Sequence, residues 1–122
     1  MVCIVLADDH PIVLEGLHAV LETQPDFEVI AECASGGEVL HVVAKQQPDI
    51  VLLDLEMPVM DGVETIRRLH ELPQVPRIIV FTAFDNVERI IHAIQAGADG
   101  YLLKGAPPEE NFKTISLKME GA

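Results

Sequence analysis

The 122-residue sequence is poor in basic residues and contains no long apolar run. Its 8 Lys and Arg stand against 20 Asp and Glu, which gives a formal net charge of −12 at pH 7. Such a surface repels a phosphate backbone or an anionic membrane, so direct binding of either is not expected. No apolar run approaches the ~20 residues of a membrane-spanning helix. The amino terminus also shows no signal-peptide pattern.

Cysteine is scarce as well. The two cysteines, Cys3 and Cys33, each lie in an apolar, strand-like segment. They do not have the spacing of a metal or redox motif. We interpret them as buried free thiols in a reducing compartment and expect a cytoplasmic protein.

What the sequence does contain is enough apolar residues for one complete domain, since 49% of its residues are hydrophobic. Five apolar segments alternate with five segments of helical period. We predict strands at 2–6, 27–32, 50–53, 77–81 and 100–103. Because the first, third and fourth show almost no polar alternation, they are typical of parallel strands covered on both faces. The pattern predicts an α/β fold with a doubly wound five-stranded parallel sheet, in the order 2-1-3-4-5, and five helices.

Apolar stripes at helical spacing define the five helices. The first helix follows Pro11, and Gly97 ends the fourth. The third helix carries Glu64 and Arg68 at a spacing that allows an ion pair on its outer face. The stripes consist of Val13, Leu17, Val20 and Leu21; Val39, Leu40 and Val43; Val63, Ile66 and Leu69; Val87, Ile90, Ile91 and Ile94; and Phe112, Ile115 and Met119.

Polar residues follow the predicted strands at their carboxyl ends. Asp8 and Asp9 follow the first strand, Asp54 the third, Thr82 the fourth and Lys104 the fifth. In doubly wound sheets this edge is where ligands bind. Three neighbouring carboxylates need a counter-charge, and Mg²⁺ prefers such oxygen ligands. The lysine supplies a second positive charge, and the threonine supplies a hydroxyl group.

This set of side chains fits the transfer of a phosphoryl group to a carboxylate. Asp54 is the candidate nucleophile, Asp8 and Asp9 are candidate metal ligands, and the backbone carbonyl of Glu56 could complete the inner shell. Taken singly, the acidic pair could cap a helix, Asp54 could form a turn, and Lys104 could be a solvated lysine. Their joint arrangement at one sheet edge favours a functional site.

Four segments carry a resemblance to the receiver domains of bacterial two-component response regulators, most of all the NarL/FixJ (LuxR-type) transcriptional regulators. They are Leu-Ala-Asp-Asp-His-Pro (6–11), Leu-Asp-Leu-Glu-Met-Pro-Val-Met-Asp-Gly (53–62), Phe-Thr-Ala-Phe-Asp (81–85) and Ala-Gly-Ala-Asp-Gly-Tyr-Leu-Leu-Lys (96–104). The resemblance covers essentially residues 1–122 and implies a flavodoxin-like, CheY-like fold.

The resemblance also implies a role for each residue that matches the family's motifs. Asp54 matches the phosphoacceptor, which takes a phosphoryl group from the phosphohistidine of a sensor histidine kinase. Asp8 and Asp9 match the pair that holds Mg²⁺ together with it. Thr82 matches the switch hydroxyl, and Lys104 matches the lysine that pairs with the phosphoryl group.

Two further positions follow from the resemblance. Tyr101 matches the aromatic residue whose rotamer follows the switch hydroxyl, and the small Ala83 leaves space for the phosphoryl group. Many receivers have proline in a cis peptide after the lysine, whereas this chain has Gly105, so a cis bond there is an open question.

Relatives of this type normally carry a C-terminal helix-turn-helix domain, which is absent from these residues. In a full-length protein, phosphorylation would control homodimerisation and transcription, and DNA would be contacted only through that output domain. The alternative is a stand-alone receiver that acts through protein–protein contacts. The domain is not expected to be an enzyme beyond its own phosphorylation and dephosphorylation. A phosphatase with an aspartyl intermediate and a degenerate interaction module are the rival hypotheses.

Two groups of residues are interpreted more plainly. The five histidines share no metal-ligand spacing and are expected at the surface, with His10 beside the acidic pair. Ile90, Ile94 and Tyr101 could form a dimer surface, although core positions are the simpler expectation for the isoleucines.

Overall fold

The computed structural model describes residues 1–55, 57, 61–82 and 87–119. The predicted alternation is confirmed, and the five strands form one parallel sheet in the order β2-β1-β3-β4-β5. The elements are β1 (Val2–Ala7), α1 (Pro11–Leu21), β2 (Phe27–Cys33), α2 (Gly36–Gln46), β3 (Ile50–Asp54), α3 (Gly62–Leu69), β4 (Arg77–Thr82), α4 (Val87–Ala96), β5 (Gly100–Leu103) and α5 (Pro108–Met119).

The two faces of the sheet are covered by separate apolar clusters. Along β3, Val51 and Leu53 belong to one cluster, and Ile50 and Leu52 belong to the other. Helices α2, α3 and α4 contribute buried residues to the first cluster, and α1 and α5 contribute to the second. Burial on both faces accounts for the continuous apolar runs in the sequence. Because both faces of β3 are covered, a functional polar side chain on this strand is expected at its carboxyl end, where Asp54 stands.

Two aspartates at the amino ends of the strands fix the register of neighbouring strands. Asp49 Oδ2 accepts a hydrogen bond of 2.7 Å from the backbone N–H of Cys3. Asp99 Oδ2 accepts one of 2.8 Å from the backbone N–H of Ile78. Because each aspartate precedes a strand and binds the adjacent one, it holds the two strands in a fixed alignment.

The phase of two helices differs from the prediction. On α4, Val87, Ile91 and Ile94 are exposed, Ile90 is half-buried, and Ala93 is the residue fully buried. On α1, Val20 lies at the surface while Leu14 is buried. A helix that packs closely turns its small residue inward, so the expectation of a core position is wrong for Ile94. Val87 and Ile91 of the predicted stripe are exposed as well. The predicted pair on α3 is present, with Arg68 Nε 3.1 Å from Glu64 Oε1.

Both cysteines are free thiols. Cys33 is buried, and burial raises its pKa to about 11, so the thiolate form is disfavoured at neutral pH. Cys3 is only half-buried. The Lys104–Gly105 peptide bond is trans, and Gly105 has a φ of +92°, which favours glycine. Within the described ranges, no helix combines the length and apolarity needed to cross a membrane.

Candidate functional site

The polar side chains predicted at the strand ends meet at one edge of the sheet. Asp54 and Thr82 are the last residues of β3 and β4, whereas each was predicted to follow its strand directly. Asp8, which follows β1, is 1% exposed, Asp54 is 3% exposed and Thr82 is 1% exposed. Ligand atoms of Asp8, Asp9, His10 and Asp54 all lie within 4.8 Å of one another. The structure therefore builds a compact and largely buried acidic group.

Lys104 brings a positive charge to this group from the end of β5. Its Nζ lies 3.4 Å from Asp8 Oδ2 and 3.7 Å from Asp54 Oδ1. Its Nζ also lies over the Phe81 ring, 5.6 Å from the ring centroid. The backbone N–H of Lys104 donates to the carbonyl of Thr82 at 2.8 Å, which fixes where the side chain starts. One ammonium group thus faces two buried carboxylates, which strengthens its interaction with each.

His10 is a member of the site to which the sequence assigned no role. Its Nδ1 lies 3.0 Å from Asp8 Oδ1 and 3.0 Å from Asp9 Oδ1. The hydrogen bond to Asp8, followed by the charges of Asp9 and Asp8, raises the pKa of His10 above 6.5. His10 is also the N-cap residue of α1, but its side chain makes no capping hydrogen bond. Adjacency to the acidic pair was the only signal of this contact in the sequence.

The donor atoms of the acidic group fit a hard divalent cation. Among the described residues, Asp8 Oδ2 and Asp9 Oδ1 are buried and accept no well-formed hydrogen bond, although Lys104 Nζ lies 3.4 Å from the first and His10 Nδ1 lies 3.0 Å from the second. A buried carboxylate oxygen without a hydrogen bond is unfavourable, and a bound cation would compensate these oxygens more fully than the two ion pairs do. Oxygen ligands from two or three carboxylates are typical of Mg²⁺ sites. Glu56, whose carbonyl was predicted to complete the shell, and Ala83 lie outside the described residues.

The backbone that follows Asp54 is closely packed. The N–H of Gly62 donates to the carbonyl of Leu55 at 3.0 Å, where α3 begins. A Cβ atom on Gly62 would lie 2.6 Å from Leu55 Cα, so only glycine fits there. Arg89 of α4 reaches the same carbonyl, with Nη2 2.9 Å from Leu55 O. The sequence did not single out this arginine.

Tyr101 lies apart from the acidic group. In the β4–β5 register it pairs with Val80, and Thr82 pairs with Leu103. The tyrosine side chain is exposed. It lines a cavity of about 400 Å³ between β5 and α5, whose polar lining includes Glu110, Asn111, Thr114 and Lys118. The structure thus places Tyr101 at the surface, where a partner can contact it.

Comparison with known proteins agrees with this arrangement. The chain matches the family model of the response regulator receiver domain over residues 4–116. It is 46% identical over 112 residues to the transcriptional regulatory protein YhcZ of Bacillus subtilis, covering 91% of this chain and 52% of that protein. It is 38% identical over 118 residues to the nitrate/nitrite response regulator protein NarL of Escherichia coli, covering 97% and 55%. The chain thus spans about half the length of the curated relatives it matches.

Solved structures show the same similarity. A LuxR-family two-component response regulator from Aurantimonas sp. superposes with a TM-score of 0.91 at 36% identity, covering 98% of this chain and 85% of that one. The receiver domain of AraT, a response regulator from Geobacillus stearothermophilus, superposes with a TM-score of 0.85 at 31% identity, covering 99% and 95%. The chain therefore belongs to the response regulator receiver domain family, a family of signalling domains, and its relatives include transcriptional regulators of the NarL/LuxR type.

Proposed function

We propose that Asp54 accepts a phosphoryl group from the phosphohistidine of a sensor histidine kinase, and that this modification switches the conformation of the domain. The observation that carries the proposal is the buried carboxylate of Asp54 at the end of a central strand, with Lys104 Nζ 3.7 Å away. Phosphoryl transfer requires a positioned nucleophile and a nearby positive charge that stabilises the phosphoryl oxygens.

In the proposed reaction, a carboxylate oxygen of Asp54 attacks phosphorus and forms a P–O bond. The P–N bond to the donor imidazole breaks, and its nitrogen keeps the electron pair. The ammonium group of Lys104 is placed to pair with a phosphoryl oxygen. Thr82 is the last residue of the neighbouring strand β4, and its hydroxyl can donate a hydrogen bond to a second phosphoryl oxygen. Bound by Asp8, Asp9 and Asp54, Mg²⁺ would neutralise negative charge on the carboxylates and on the phosphoryl oxygens.

We propose that the output of the switch is a homodimer formed through the α4–β5 patch, which consists of Val87, Ile91 and Ile94 of α4 and Tyr101 of β5. These four side chains are 57%, 49%, 45% and 48% exposed. An exposed apolar patch of this kind is typical of a contact surface. A DNA-binding domain elsewhere in a longer protein would act on transcription, because a formal net charge of −12 does not favour direct DNA contact by these residues.

Labelling with radioactive acetyl phosphate tests the proposal without knowledge of the kinase. We expect Mg²⁺-dependent label on the wild type, loss of that label in Asp54→Asn, and full label in the control Asp26→Asn. Asp26 directly precedes β2, so it lies at the amino ends of the strands, away from the site. Equal labelling of Asp54→Asn and the wild type would overturn the assignment.

A further inference from the structure

Arg89 occupies an unusual position for a charged residue. On α4 it lies four residues before the fully buried Ala93, so both share the face that packs on the domain. The α4–β5 patch residues Val87, Ile91 and Ile94 lie on the exposed face. Arginine normally keeps its charge in water, so an inward-facing guanidinium needs a specific partner.

That partner is the backbone directly after the phosphoacceptor. The carbonyl of Leu55 accepts hydrogen bonds from Arg89 Nη2 at 2.9 Å and from the N–H of Gly62 at 3.0 Å. The Leu55 side chain is 0% exposed, and the close approach of Gly62 holds its backbone in place. One carbonyl therefore joins the end of β3, the start of α3 and the side chain of an α4 residue.

The guanidinium also has an unused donor. Arg89 Nε is buried and donates no hydrogen bond to any residue that the structure describes. A buried charged N–H without an acceptor is unfavourable, so a new oxygen at this position would be bound strongly. A phosphoryl group on Asp54 brings acceptor oxygens and added negative charge to the residue next to Leu55.

We propose that Arg89 is a positioning residue that couples α4 to the chemical state of Asp54. In the unmodified domain it holds the Leu55 carbonyl. When Asp54 carries a phosphoryl group, the added charge draws the guanidinium, its Nε–H gains an acceptor, and α4 shifts with its exposed patch. This inference rests on the proposed function, because it needs a phosphoryl group at Asp54.

The test compares Arg89→Gln with the wild type in the presence of Mg²⁺ and beryllofluoride, a phosphoryl mimic. Backbone NMR shifts of Thr82 report the site, and shifts of Ala93 and Ile94 report α4. We expect Arg89→Gln to bind the mimic and shift Thr82, while the response of α4 falls to less than half of that in the wild type. The matched control, Arg67→Gln, changes an exposed arginine on α3 and is expected to respond as the wild type does.

A second variant separates coupling from mere anchoring. Arg89→Lys keeps the charge and a donor for the Leu55 carbonyl but lacks Nε, so an intermediate α4 response is expected, even if Arg89→Gln proves too unstable to use. An α4 response of wild-type size in either variant would overturn the role of Arg89 and leave the proposed function standing. Absence of any Thr82 response in the wild type would instead overturn both.

Discussion

Lys104 Nζ lies 3.7 Å from Oδ1 of Asp54, although β4 separates β3, which ends at Asp54, from β5, which ends just before Lys104. The same nitrogen lies 3.4 Å from Oδ2 of Asp8. Before any ligand binds, the lysine is therefore a counter-charge for two buried carboxylates. It competes with a divalent cation for them, and it attracts an anion that arrives at Asp54.

The replacement Lys104→Met should change the two affinities in opposite directions. Without the ammonium group, Mg²⁺ should bind more tightly and beryllofluoride more weakly. Half-buried charge pairs contribute about 1 kcal/mol, which corresponds to about a fivefold change in each Kd. Calorimetric titrations measure both constants, and Lys113→Met on α5 is the control. An unchanged or weaker Mg²⁺ affinity in Lys104→Met would show that the lysine does not compete at the site.

His18 should make the stability of the domain depend on pH. Its Nδ1 lies 2.5 Å from Glu32 Oε2 and its Nε2 3.2 Å from Glu22 Oε1. The hydrogen bond to Glu32, together with the charges of Glu32 and Glu22, raises the pKa of His18 above 6.5 despite some desolvation. The stabilisation is thus fully present below pH 6.5 and is lost as pH rises through the folded-state pKa.

Urea unfolding at a series of pH values from about 5.5 to 8.5 measures this effect. Going up this range, the wild type should lose more stability than His18→Gln does. His92→Gln, which changes an exposed histidine on α4, should follow the wild type. Parallel curves for His18→Gln and the wild type would exclude the bridge between α1 and β2 as the source.

Two glycines with positive φ give a matched pair of stability measurements. Gly97 has a φ of +120° and Gly105 one of +92°. A Cβ atom at Gly97 would lie 2.1 Å from His70 Nε2, whereas no other part of the described chain comes within 4 Å of one at Gly105. Alanine at either position costs about 1 kcal/mol in backbone strain. At Gly97 it also displaces the imidazole, whose Nε2 lies 2.9 Å from the Gly97 carbonyl.

Gly97→Ala should therefore lower the free energy of unfolding by about 1 kcal/mol more than Gly105→Ala does, since one hydrogen bond is lost as well. Chemical denaturation of both variants checks this difference. It should disappear when His70 is first replaced by alanine, and equal losses in the original background would contradict the account.

The proposed dimer should be sensitive to charge in the α4–β5 patch. Ile91→Glu places a carboxylate in the patch on a side chain that is 49% exposed, so the monomer should keep its stability. In sedimentation experiments with Mg²⁺ and beryllofluoride, the wild type should dimerise and Ile91→Glu should stay monomeric. Ile12→Glu on α1, where the side chain is 81% exposed, is the control. Dimerisation of Ile91→Glu at wild-type concentrations would move the interface elsewhere.

The sheet and the strand-end residues could be predicted because buried parallel strands leave continuous apolar runs and their carboxyl ends share one edge. The buried face of α4 could not be predicted, because helical spacing does not reveal whether Ala93 or the isoleucines face the sheet. The Arg89–Leu55 contact joins residues 34 positions apart and leaves no local pattern. The contact of His10 with the acidic pair depends on the orientation of its ring, which adjacency alone does not determine.

Chemical trapping of the acyl phosphate tests the central claim most directly. After incubation with Mg²⁺ and acetyl phosphate, borohydride reduces an aspartyl phosphate to homoserine, and peptide mass spectrometry locates the change. The account predicts homoserine at position 54 in the wild type, in proportion to the phosphoryl label. Homoserine at another aspartate, with position 54 unchanged, would contradict it.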